Sequence, residues 1–194
     1  MGRGGCLVTP RGLVAALCLV LAGSAVAAVD QGLPTPEPDG QSDFDWEWGQ
    51  WLTKVRVRQN PLSGESARWA EFSGTSIVKP LLDGTMNFVE LKVKGTGGAI
   101  EGGSLRLYSP RSRQWSLNFA NARDGLLTAA VYGRFDKKGV GTFVGTDTVD
   151  GRAILVRFVV TRLSADVARF EQAYSADGGA TWELNWIATD TRVR

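Results

Sequence analysis

Arg157, Gln172 and Asn185, escorted by Phe170 and Tyr174, are the side chains of this chain best suited to hold a small molecule. Successive side chains of a strand point to opposite faces, so Phe170, Gln172 and Tyr174 share one. The hairpin that turns through Ala176-Asp177-Gly178-Gly179-Ala180 sets Gln172 beside Asn185 and brings Ile187 to the same face. One register of the preceding hairpin adds Arg157. A guanidinium and two amides among aromatic rings can orient a ligand by hydrogen bonds while the rings cover its apolar part. Two readings of that face stay open. Turned inward it lines a cavity, and turned outward it is a row of ordinary solvated positions. On the opposite face Arg169 and Glu171, alternating with Trp182, Leu184 and Trp186, suit a structural ion pair.

The composition removes whole classes of chemistry. The chain has 194 residues and no histidine, and its two cysteines, Cys6 and Cys18, lie near the N-terminus. A Ser-His-Asp triad, a His-ligated zinc and a His-ligated haem cannot be built from such a set. There is no phosphate-binding glycine loop and no dinucleotide fingerprint. No catalytic residue, metal site or cofactor is assigned. Acid–base work by carboxylates is the common enzymatic route left, with Glu71, Glu90, Asp147, Glu171 and Glu183 in or near strands. A glycosidase needs two such groups about 5–9.5 Å apart. Solvated or ion-paired acids are the simpler reading. Lys54, Arg56, Arg58 and Lys79 read as a solvated outer face.

Residues 1–28 have the layout of a secretory signal. Arg3 and Arg11 form a basic start, 13–22 is an apolar run, and small residues follow to Ala27 and Ala28, after either of which cleavage fits. The run is about half of the ~20 residues that a spanning helix needs, so no transmembrane segment is expected once the signal is removed. Losing Arg3 and Arg11 takes Lys plus Arg from 22 to 20, equal to the 20 Asp plus Glu. A formally neutral chain has no electrostatic hold on nucleic acid. Residues 29–43, with Pro34, Pro36 and Pro38, read as a disordered leader. The expected location is outside the cytoplasm, periplasmic or extracellular. Oligomeric state is not legible.

Residues 44–194 form one domain in which two-residue alternation recurs between turns. On the first strand Trp51, Thr53, Val55 and Val57 take one face, and Leu52, Lys54, Arg56 and Arg58 the other. About ten strands follow one another through short connections, which favours antiparallel neighbours. The expected fold is all-β, a single antiparallel up-and-down barrel, with 24 glycines to serve its turns and bends. A two-sheet sandwich is the alternative. The seven tryptophans suit either core plugs at the barrel ends or a ligand-binding platform.

Gly49-Gln50-Trp51 on the first strand, with Arg192 on the last, resembles the signature of calycin-type barrels such as lipocalins. There, the resemblance implies, an Arg side chain covers the Trp at the barrel base. Further stretches resemble a bacterial family of small exported calycin-like domains of unassigned function. They are Phe44-Asp45-Trp46, Trp69-Ala70-Glu71-Phe72-Ser73-Gly74-Thr75, Asp150-Gly151-Arg152 and Arg169-Phe170-Glu171-Gln172-Ala173-Tyr174-Ser175. The resemblance implies a fold and little function. Ser175-Ala176-Asp177-Gly178-Gly179-Ala180-Thr181-Trp182 matches the Asp-box pattern of sialidase-type propellers, in a chain too short for a propeller. It reads as a folded turn, with Asp177 and Trp182 structural.

The expected function is an exported, non-catalytic binder of a small apolar or amphipathic ligand in a barrel cavity. The alternatives are an envelope accessory module that binds protein through its loops, or a carboxylate-dependent hydrolase.

Overall fold

The computed structural model describes residues 39–194. The expected signal sequence 1–28 and leader residues 29–38 lie outside the described residues. Eleven strands follow in chain order: β1 (Gly49–Arg58), β2 (Trp69–Leu81), β3 (Met86–Gly95), β4 (Gly98–Ser109), β5 (Gln114–Asn121), β6 (Leu126–Leu127), β7 (Val131–Phe135), β8 (Val140–Val149), β9 (Arg152–Arg162), β10 (Val167–Ser175) and β11 (Glu183–Arg192). All pairings are antiparallel, and all join chain neighbours save two: β7 reaches past the two-residue β6 to β5, and β11 pairs with β1. The β1–β11 pairing and the β4–β5 pairing close the sheet into a ring of ten strands, with β6 as an appendage on β5.

The first strand follows its sequence pattern. Trp51, Thr53 and Val55 are buried, and Leu52, Lys54 and Arg56 are exposed. Strand β4 begins earlier than the turn chemistry suggests, because Gly102 and Gly103 lie inside it. A Cβ at Gly103 would come 2.2 Å from the Phe88 ring. The glycine lets that ring lie flat on the strand, and no break in the ladder results.

The buried core of the barrel falls into two clusters. Phe44, Phe143, Trp115, Val55 and Val160 anchor the larger cluster, and Trp51, Val78 and Val89 the smaller. Phe44 does not come from a strand. It belongs to the segment that precedes β1, which forms a short 3-10 turn at Asp45–Glu47. Its ring meets Trp115 and Phe135 edge-on, at centroid distances of 5.0 and 4.9 Å. That segment enters one end of the barrel as a plug. Its hold begins before Phe44, within the stretch read as leader: the Trp115 Nε1–H donates to the Gly40 carbonyl at 2.9 Å, and the Tyr108 hydroxyl donates to the Asp39 carbonyl.

The barrel-base contact implied by the calycin resemblance is present. Trp51 is fully buried and stands opposite Arg192 in the β1–β11 register. The Arg192 guanidinium lies 4.1 Å above the Trp51 ring. It also donates to the carbonyls of Trp48, at 2.8 Å, and Trp46. The Trp51 indole N–H donates to the Glu47 carbonyl at 2.6 Å. Gly49 has φ of 119°, and a Cβ there would sit 3.3 Å from Arg192 Nη1. The backbone angle favours glycine here, and a Cβ would in addition press lightly on the guanidinium.

Candidate functional site

Above the plug, the barrel holds a cavity of about 310 Å³. Its walls are apolar, drawn from Val89, Leu91, Leu117, Val131, Val156, Phe158, Phe170, Trp186 and Ala188. Its floor is polar and comes from four strands and the plug: Thr53 on β1, Ser76 on β2, Arg106 on β4, Asp190 on β11, and Glu47. The opposite end of the lining is formed by Asn118, Phe119, Thr128, Ala129, Thr146 and Asp147.

The pairing pattern explains that opening. β5 and β7 pair from Trp115–Gly133 only to Leu117–Val131, and β7 and β8 only as far as Tyr132–Val144. Beyond these points β5 carries on to β6, while β8 continues to Val149 paired with β9 alone. The wall therefore parts between β5 and β8. Thr128 braces the β5 side: its Oγ1 accepts from the Phe119 amide and its carbonyl accepts from Asn118 Nδ2, both at 2.9 Å. Leu126, Leu127, Tyr132 and Val144 are exposed on the strands that border the gap.

The floor is held by an ion pair taken out of water. Arg106 and Glu47 are 3% and 1% exposed. Nη1 donates to Glu47 Oε2, and Nη2 to Oε1 at 3.2 Å. The guanidinium lies 4.3 Å from the Phe44 ring centre and 6.0 Å from that of Phe170. Beside it, Asp190 is 4% exposed and accepts from Ser76 Oγ at 3.1 Å. Burial pushes the Asp190 carboxyl up to about 7, helped by the Glu47 charge and opposed by the Thr53 and Ser76 hydroxyls and by Arg106.

Of the five ligand-binding positions expected from sequence, three line the cavity: Phe170, Gln172 and Tyr174. Gln172 Nε2 donates to Asn185 Oδ1 and to the Tyr174 hydroxyl, both at 3.2 Å. Asn185 is thus tied to the site through Gln172 and is not itself in the lining. Burial, and then the Asp147 charge, raise the Tyr174 phenol. Arg157 is a correction. It pairs with Ala173 in the β9–β10 ladder, between the inward-facing Val156 and Phe158, so its side chain lies on the outside of the barrel. There it covers the Trp182 ring at 4.3 Å.

A bulge accounts for a second difference. The β10–β11 register slips between Gln172–Trp186 and Ala173–Leu184, leaving Asn185 as the extra residue. Trp186 is thereby turned to the cavity, where simple alternation had placed Ile187. Sequence reasoning also passed over Glu47, Arg106 and Asp190. The available signal was Arg106 itself, a charge set between Leu105 and Leu107 in a strand; the structure turns the charge in and leaves Leu107 exposed.

The Asp-box stretch forms a bonded turn outside the cavity. Ser175 Oγ donates to Asp177 Oδ1 at 2.7 Å, and Thr181 donates to Asp177 through its amide at 2.9 Å and its hydroxyl at 2.6 Å. These donors, those of Thr181 first, hold the Asp177 carboxyl well below its usual range. Gly178 and Gly179 supply the positive φ. Glu171 and Glu183 are ion-paired with Arg169 at 2.7 Å and Arg58 at 3.0 Å, away from the lining; Asp147 is the one carboxylate of the five considered that reaches it. Among the described residues no acidic or sulfur cluster is placed to hold a metal ion, and no helix is long and apolar enough to cross a membrane.

No protein-family model matches the chain, and no curated protein sequence matches it. Among solved structures, the S-type phycobiliprotein lyase CPES of Guillardia theta is similar, with a TM-score of 0.54 at 13% identity over 79% of this chain and 92% of that one. EF1p2_mFAP2b bound to DFHBI aligns over 79% of this chain and 99% of its own, at 9% identity and a TM-score of 0.43. A de novo designed fluorescence-activating β-barrel aligns over 77% of this chain and 95% of its own, at 15% identity and a TM-score of 0.41. At an identity of 13%, the likeness to the lyase is one of fold.

Proposed function

We propose that this protein is an exported, non-catalytic binder that holds a small, partly apolar molecule inside its barrel. The observation that carries the reading is a cavity of about 310 Å³ with apolar walls, a polar floor and a gap in one wall. Sites for small ligands have this form and begin at about this size. Phe158 and Phe170 would cover the ligand, and Gln172, held by Asn185 and beside Tyr174, would meet a polar group partway along it. Export rests on the signal-like N-terminus, with cleavage after Ala27 or Ala28. The exposed Leu126, Leu127, Tyr132 and Val144 favour approach of an apolar molecule at the gap.

Native mass spectrometry of the protein, purified gently from its own host, tests both parts. The expected spectrum shows a chain beginning at Ala28 or Val29 and carrying a bound small molecule. A chain that stays bare, and whose tryptophan fluorescence no small apolar compound perturbs, would end the binder reading.

A further inference from the structure

The cavity floor leaves two buried polar atoms, Asp190 Oδ1 and Arg106 Nε, without a partner. Ser76 Oγ donates its proton to Asp190 Oδ2, and Thr53 Oγ1 lies 2.9 Å from Ser76 Oγ. A hydroxyl has one proton, so while Asp190 is ionised and takes that of Ser76, Thr53 is the donor to Ser76. The relay then runs one way, from Thr53 through Ser76 to Asp190, and ends on Oδ2. Asp190 Oδ1 is buried and has no partner. Such an oxygen calls for a partner from whatever fills the cavity.

The charge balance narrows the choice. Arg106 is the cation of the floor, and Glu47 takes both of its terminal nitrogens. Phe44 and Phe170 lie against the guanidinium. Glu47 therefore neutralises the Arg106 charge, while the buried Arg106 Nε–H has no partner and is free to donate to an uncharged acceptor on the occupant. The groups that face Asp190 are Thr53 from β1, Ser76 from β2, Arg106 from β4 and Glu47 from the plug. Arg106 and Glu47 cancel, so the floor is neutral when Asp190 is protonated and singly negative when it is not. An anionic head would be buried without a counter-charge. An ammonium head would be stripped of water to meet one carboxylate that burial already inclines to hold its proton.

We infer that the occupant is an uncharged amphipathic molecule, such as an alcohol or an amide, that enters polar end first and hydrogen-bonds Asp190 Oδ1, donating to the ionised carboxylate and accepting from the protonated one. Its apolar body lies against Leu91, Leu117, Phe158 and Phe170. The inference rests on the reading of the cavity as a ligand site and names the chemistry of its ligand.

A matched series on the full chain tests it: naphthalene, naphthylmethanol, naphthoate and naphthylmethylammonium, titrated by calorimetry at about pH 8, where the acid and the amine are both charged. Naphthylmethanol is expected to bind about tenfold more tightly than naphthalene and more tightly still than naphthoate, the difference that one hydrogen bond to a charged group makes. Asp190→Leu is expected to abolish the alcohol's advantage over naphthalene. Binding of the hydrocarbon by the variant, at whatever affinity, shows that the cavity has survived the substitution. If that variant fails to fold, the wild-type series still decides. Naphthoate or the ammonium binding more tightly than the alcohol would overturn the inference, as would an alcohol no better than naphthalene. Failure of all four to bind would overturn the ligand-cavity reading itself, so the two failures are told apart.

Discussion

Asp190 links the cavity to the stability of the fold. Its carboxyl has an ordinary value of 3.8 and is pushed up to about 7 by burial. Between those values the folded chain holds a proton that the unfolded chain has released. Stability therefore falls as pH rises from about 4 to about 7 and is level above that, with a total cost of order 4 kcal/mol. Asp190→Asn keeps an acceptor for Ser76 and removes the titration. The variant is expected to be flat across that window and more stable than the wild type at about pH 8, read by urea unfolding at a series of pH values. Asp177 works in the opposite sense. Its value is lowered, so its contribution is present above the ordinary carboxylate range and lost as pH falls below it, outside the Asp190 window. A wild-type profile that stays level from about pH 4 to 7 would show that Asp190 is not buried as described. Neither Asp190 nor Arg106 was legible as part of a site. A lone charge within a strand reads as solvated, and its burial here depends on partners from β2 and the plug, far away in sequence.

Among the elements, β1 was the most legible, because its alternation and its burial coincide residue for residue at Trp51, Thr53 and Val55. Trp51→Ala is expected to cost about 3–5 kcal/mol, the range for deleting a fully buried large aromatic. Arg192→Leu removes a ring contact and two carbonyl hydrogen bonds and is expected to cost about 2–3 kcal/mol. Both are read by chemical denaturation, and a near-neutral Trp51→Ala would contradict the barrel-base contact. The β10–β11 hairpin was the least legible. Its turn was recognised from Ser175, Asp177 and the glycines, yet the bulge at Asn185 leaves no local mark in the sequence. One extra residue exchanged Ile187 for Trp186 on the inner face. Arg157 failed for the same kind of reason: which face of β9 turns inward is set by its neighbours, and the strand is apolar on both.

At the scale of the whole molecule, the plug and the barrel are joined by a charge pair that stabilises little by itself. Glu47→Gln leaves the Arg106 charge buried and unpaired, and is expected to cost about 3–5 kcal/mol. The double variant Glu47→Leu with Arg106→Met removes both charges together and is expected to return to within about 1 kcal/mol of the wild type or above it. Thermal unfolding of the two variants side by side checks the contrast, and equal losses in both would show that the pair is favourable in its own right. Ring closure gives most of each strand a partner on both sides, and the upper half of β8 is one stretch that lacks one. From Gly145 to Val149 it pairs with β9 alone. The carboxylate of Asp147 bonds the Thr148 amide at 2.7 Å, blunting that edge from within. The gap proposed to admit a ligand thus doubles as a stretch of ladder where another chain could add a strand. If the barrel holds a ligand as proposed, the same few residues set both how readily it exchanges its contents and how well it resists sticking to its own kind.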